Sequence, residues 1–95
     1  RIVIAPEWET YRPKNDETCI IISPKMAFGT GHHETTQLLL QILETELKTG
    51  HSVLDAGTGS GILAIYAAKR GAKPVVAFDI DPLAVENTKE NLQLN

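Results

Sequence analysis

The chain has a single cysteine, Cys19, among its 95 residues, so no internal disulfide can hold it together. Set in the apolar run CIII, that thiol reads as a small buried hydrophobe. No apolar run approaches the roughly 20 residues that a bilayer-spanning helix needs, and no membrane partner is expected. The opening RIVIAPEW lacks the charged, then apolar, then small-residue order of a secretory signal; a cytoplasmic location is the expectation. Basic charge is scarce, nine Lys and Arg against twelve Asp and Glu, for a net charge of −3. With no basic field to draw in a phosphate backbone, nucleic acid is not expected as a direct partner. Repeats and low-complexity tracts are lacking too. What is present, 42% apolar and 22% charged residues, is ordinary globular composition and argues against a disordered chain. Ninety-five residues is short for an α/β domain, so one domain or part of one is expected.

Two β-type runs come first, residues 2–5 and 18–23, separated by a polar stretch with Pro6, Pro13, Asn15 and Asp16 that reads as loop. They form a small sheet or flap. The glycine-bearing segment 24–33 is aperiodic and leads into a helical pattern over about 34–48, with Leu38, Leu39, Ile42, Leu43 and Leu47 assigned to one face. Thr35 or Thr36 is a candidate cap for that helix, and Gly50 supplies its stop. A strand over 52–56, a turn over 57–61, a helix over 62–68 and a strand over 75–78 make one βαβ unit. Both strands are apolar without alternation, the pattern of parallel strands covered on both faces. Asp81 as N-cap and Pro82 at the first helical position then start a helix running to about Leu92. Two parallel strands leave open edges and uncovered faces, so the chain reads as an incomplete doubly wound domain in which self-association through sheet edges is possible.

The chemistry concentrates in VLDAGTGSGILA (53–64). Asp55 ends a strand, and Gly57, Gly59 and Gly61 form the turn into a helix. Glycines let a backbone turn sharply and let a ligand approach closer than a Cβ permits, while the helix start presents amides. Asp79 ends the next strand, where its two oxygens can accept both hydroxyl protons of a ribose. Two cofactor classes share this architecture. Gly59, Gly61 and Ala64 fit the dinucleotide fingerprint G-x-G-x-x-A, with Asp79 about 20 residues on. Against a nicotinamide cofactor, Asp55 puts negative charge where a pyrophosphate would be repelled and the ammonium of an amino-acid moiety attracted, which favours S-adenosyl-L-methionine. The bland reading, a tight turn with Asp55 satisfied by backbone amides, stands beside both.

The run DAGTGSG followed by DIDP resembles the first two motifs of class I methyltransferases. The block AFGTGHHETT (27–36) resembles the AFGTG-x-H-x-TT signature of the ribosomal protein L-eleven methyltransferase (PrmA) family, and VIAPEWE (3–9) resembles the segment leading into that family's core. The segment SPKMAFG departs, at Ser23 and Lys25, from the family's more usual DPG-type lead. The resemblance implies an α/β, Rossmann-like class I methyltransferase fold, incomplete here, with a β flap and entrance loop over 1–33 and the first part of the methyltransferase domain over 34–95. It implies an S-adenosylmethionine-dependent N-methyltransferase acting on amino groups of a ribosomal protein. It assigns cofactor contacts to Thr30, Gly57, Gly59 and Asp79, to which the charge argument adds Asp55.

His32, His33 and Glu34 carry zinc-ligand chemistry, but adjacent histidines point apart and no cysteine lies near, so no metal is expected. Trp8 and Tyr11 are expected to pack against the flap. Transfer of a methyl group from sulfonium to amine is an in-line displacement in which orientation does most of the work, and no catalytic base is assigned. On this reading the chain derives from an active enzyme and is inactive alone. A small-molecule or glutamine-directed methyltransferase, an NAD-dependent oxidoreductase and a non-catalytic nucleotide-binding module stay open as alternatives.

Overall fold

The computed structural model describes residues 1–23 and 34–95. Its elements follow the order β1 (Ile2–Pro6), β2 (Thr18–Ile22), α1 (Glu34–Glu46), β3 (Val53–Ala56), α2 (Ile62–Lys69), β4 (Val75–Phe78) and α3 (Pro82–Leu94). The fold is α/β, with two small sheets, β1 beside β2 and β3 beside β4, each parallel.

Helix α2 is apolar around its whole circumference, and the packing explains why. It touches β2, β3, β4, α1 and α3, so Ile62, Ala64, Ile65, Tyr66 and Ala67 are all buried. A helix hydrophobic on every side is a core helix. One cluster joins Ile20 and Ile22 of β2, Leu40 of α1 and Ile62, Ile65 and Tyr66 of α2; a second joins Leu47, Ala67 and Ala72. The flap strands thus share a core with the helices. Each such fully buried aliphatic side chain contributes about 1.5–3 kcal/mol.

Several expectations are corrected. Helix α1 turns Leu40 and Leu43 inward, with Leu47 buried just past its end, while Leu38, Leu39 and Ile42 are exposed. A helix with apolar residues at 38–40, 42 and 43 offers two candidate stripes, and periodicity alone chose the wrong centre. Thr35 and Thr36 are helical residues of α1 and not its cap. Strands β3 and β4 are covered on one face only among the described residues: Leu54 is 68% exposed, Val76 52% and Phe78 50%. Their lack of alternation reflects a face that no described element covers. Cys19 is half-buried, and Trp8, 70% exposed, does not pack on the flap. Tyr11 is also exposed, its hydroxyl donating to Glu17 Oε1 at 2.5 Å.

The stop of α1 is also displaced: the helix ends at Glu46, and Gly50, at φ +89, lies in the turn that follows, its N–H donating to Gly71 O at 2.8 Å. The expected start of α3 is met. Asp81 caps α3 by accepting from Leu83 N–H at 2.9 Å, with Pro82 following it.

Candidate functional site

Parallel pairing places the C-terminal ends of β3 and β4 side by side, with Asp55 opposite Ala77 and Ala56 opposite Phe78. The next residues of both strands therefore emerge at the same end of the sheet, where ligands of open α/β sheets gather. A cleft of about 500 Å³ opens there. Asp55, Gly57, Gly59 and Asp79 all line it, and Thr35, Thr36 and Leu39 of α1 form part of its wall. Thr30, His32 and His33 lie outside the described residues.

The turn between β3 and α2 is held from several sides. Gly57, Gly59 and Gly61 adopt φ of +69, +60 and +83, a region open to glycine and strained for other residues. The N–H groups of Gly57 and Thr58 both donate to Phe78 O, at 2.9 and 3.0 Å, and Gly59 N–H donates to Asp79 Oδ2 at 2.9 Å. Three successive amides of the turn are thus directed at β4 and its end. A pyrophosphate cradle needs such amides turned toward the ligand. What this turn offers the cleft instead is open space: nothing lies within 4 Å of where a Gly57 Cβ would stand.

The two acids have distinct surroundings. Asp55 is buried and its Oδ2 accepts from the Thr58 hydroxyl at 2.8 Å. Among the described residues it is a side-chain hydroxyl, and not the backbone amides of the bland reading, that orients this carboxylate. Asp79 accepts from Asp81 N–H through Oδ1 and from Gly59 N–H through Oδ2, both at 2.9 Å. The Asp81 amide first, then the Gly59 amide, hold its carboxyl below the usual carboxylate range. Each carboxylate oxygen has two lone-pair directions, so Asp79 keeps acceptor capacity for a ligand hydroxyl. A cleft with one carboxylate at each strand end, and open space between, suits a ligand that is cationic at one end and carries a vicinal diol.

Sequence reasoning missed the residues of α3 that reach the site. Thr88 Oγ1 donates to Gly59 O and Asn91 Nδ2 to Ser60 O, each at 2.8 Å. Asn91 Oδ1 accepts from Ser23 N–H at 2.8 Å, Asn87 Nδ2 donates to Ser23 O at 3.1 Å, and Asn95 bonds both backbone groups of Ile21. The signal was present as Asn87, Asn91 and Asn95 at i, i+4 and i+8, one stripe along a helix. His51 is a turn residue, its Nδ1 accepting from Lys48 N–H at 3.2 Å.

Comparison with known proteins places the chain as a whole. The ribosomal protein L11 methyltransferase (PrmA) family profile matches residues 1–95. A ribosomal protein L11 methyltransferase of Clostridium botulinum (strain Eklund 17B / Type B) is 55% identical over 95 residues, covering 100% of this chain and 30% of the relative. One from Anoxybacillus flavithermus (strain DSM 21510 / WK1) is 55% identical over 96 residues, covering 100% and 31%. In the crystal structure of the ribosomal protein L11 methylase from Lactobacillus delbrueckii subsp. bulgaricus, the match has a TM-score of 0.85 and 43% identity, over 99% of this chain and 47% of that one. The chain spans about 30% of the length of these curated relatives. With the family profile matched along its full length, the chain belongs to the ribosomal protein L11 methyltransferase family.

Proposed function

We propose that this chain is the cofactor-binding part of an S-adenosyl-L-methionine-dependent N-methyltransferase whose substrate is an amino group of a ribosomal protein. Residues 34–95 are read as the first part of a Rossmann-like class I methyltransferase domain, and residues 1–33 as its flap and entrance loop. The observation that carries the reading is the pair of carboxylates, Asp55 and Asp79, at the ends of neighbouring parallel strands, flanking a glycine turn whose first amides are already engaged. The names of the relatives support the substrate class.

S-adenosylmethionine supplies, when bound, a methyl group on a sulfonium centre. The chain's own residues have separate tasks. Asp79, ionised well below neutrality, accepts from the ribose hydroxyls through the lone pairs its backbone amides leave free. Asp55, steadied by Thr58, attracts the ammonium of the methionyl end. Gly57 and Gly59 keep the floor of the cleft free of Cβ atoms. Thr30 is assigned to the methionyl end by the family resemblance. Methyl transfer by these 95 residues alone is not expected, because no group described in the cleft is assigned to receive the amine.

The engaged amides and the charge of Asp55 disfavour a nicotinamide dinucleotide. Calorimetric titration of the full-length protein with S-adenosylhomocysteine and, separately, NAD tests the assignment. Binding of the homocysteine conjugate with none of NAD is the expected result. Tight NAD binding without S-adenosylhomocysteine binding overturns the reading.

A further inference from the structure

We infer that Thr88 is a positioning residue of this site, acting on the Asp79 carboxylate through the backbone of Gly59. The inference rests on the cofactor reading above for its consequence in binding, though not for its geometry.

Gly59 is held through both peptide units that flank its Cα, the Gly59–Ser60 unit by its carbonyl and the Thr58–Gly59 unit by its N–H. Its carbonyl accepts from Thr88 Oγ1 at 2.8 Å, and the Gly59 N–H donates to Asp79 Oδ2 at 2.9 Å. Thr88 is 8% exposed, so its hydroxyl has little access to competing water. Its methyl group fills the other side of the turn, since a Cβ placed on Gly61 would stand 2.7 Å from Thr88 Cγ2. The side chain therefore does two things at once: the hydroxyl fixes where the Gly59 carbonyl points, and the methyl closes the space beside Gly61. Asn91, one helical turn further along α3, holds the next carbonyl, that of Ser60. Anchoring the Gly59–Ser60 unit to α3 limits rotation about the Gly59 Cα and so helps keep the N–H of the preceding unit on Asp79, a bond that with the one from Asp81 N–H orients the carboxylate at the cleft. No substrate or cofactor atom needs to touch Thr88 for this to matter.

Two substitutions separate the roles. Thr88→Val keeps the methyl and loses the hydroxyl; Thr88→Ser keeps the hydroxyl and loses the methyl. In the full-length protein, Thr88→Val is expected to weaken S-adenosylhomocysteine binding about three- to tenfold, the range for one buried neutral hydrogen bond. Thr88→Ser should restore most of that affinity. In a double-mutant cycle with Asp79→Asn, the losses should fall short of additivity, because both changes act on one chain of bonds. Amide hydrogen exchange at Gly59, measured without any ligand, should quicken in Thr88→Val and not in Thr88→Ser. Failure of the parent to bind S-adenosylhomocysteine would sink the cofactor reading alone, and the exchange rates would still decide the positioning role. Unchanged exchange at Gly59 in Thr88→Val, or binding losses fully additive with Asp79→Asn, overturns the inference.

Discussion

Single atoms decide what the glycine turn tolerates. Gly57 and Gly61 both have positive φ, yet nothing lies within 4 Å of a Cβ on Gly57, whereas a Cβ on Gly61 meets Thr88 Cγ2 at 2.7 Å. Gly57→Ala is therefore expected to cost about 1–2 kcal/mol, the left-handed strain of an ordinary residue. Gly61→Ala adds overpacking of about 1–3 kcal/mol, because Thr88 cannot swing aside without losing its bond to Gly59 O. Chemical denaturation of the two variants should rank them in that order, while ligand binding should rank them in reverse if the open side of Gly57 is where a ligand lies. Equal stabilities would refute the packing argument. Asp79 gives a second expectation at this scale. Its folded pKa is depressed by the Asp81 and Gly59 amides, so its stabilising contribution is present above the unfolded carboxylate range of about 3.9 and is lost as pH falls through the lower folded value. The stability difference between the parent and Asp79→Asn should stay level from neutral pH down to about pH 5 and shrink below that. A difference that shrinks already between pH 7 and pH 5 would contradict the assigned direction.

At the level of elements, the sequence disclosed more about where strands and helices lie than about which faces they bury. Strong punctuation explains the first part: Asp81 and Pro82 start α3, Gly50 follows α1, and the three glycines mark the turn before α2. The candidate site was legible for a related reason, since Asp55 and Asp79 stand at strand ends and the strand pairing needed only to be parallel. Burial was harder to read. Leu38, Leu39 and Leu40 are one residue type on three directions of a helix, and only the position of β2 and α2 selects Leu40. The role of α3 was hidden because its inward face is polar. Asn87, Asn91 and Thr88 are buried, and this polar stripe, with Asn95, bonds the open edge of β2 and the glycine turn. Asparagine usually reads as loop or surface, so hydrophobic periodicity passes over such a stripe. The stripe predicts its own energetics. Asn91→Leu leaves Ser23 N–H and Ser60 O without these partners in a buried setting and should cost about 2–4 kcal/mol. Asn95→Ala, at an exposed position, should cost about 1 kcal/mol or less. Urea denaturation of both variants checks the contrast, and similar losses would mean that the ladder does not distinguish buried from exposed rungs.

For the molecule as a whole, the open question is what its uncovered apolar face does. The register sets Leu54 opposite Val76 and Ala56 opposite Phe78, so the exposed side chains of β3 and β4 form one continuous patch. The edge of β2 away from β1 is engaged by Asn91 and Asn95, which leaves the β3–β4 sheet as an exposed apolar surface that also offers an unengaged strand face among the described residues. Produced as these 95 residues, the chain is thus expected to self-associate through this face and not by adding a strand to β2. Replacing both Leu54 and Val76 by threonine keeps β propensity while making the patch polar. Sedimentation velocity across a concentration series should show the parent shifting to larger species and the double variant staying smaller at equal concentration, with far-ultraviolet dichroism unchanged between them. Concentration-independent sedimentation of the parent as a monomer would show that the exposed pair is tolerated in water. If the double variant associates as strongly as the parent, the contact lies elsewhere, and the outward Leu38, Leu39 and Ile42 of α1 become the next face to substitute.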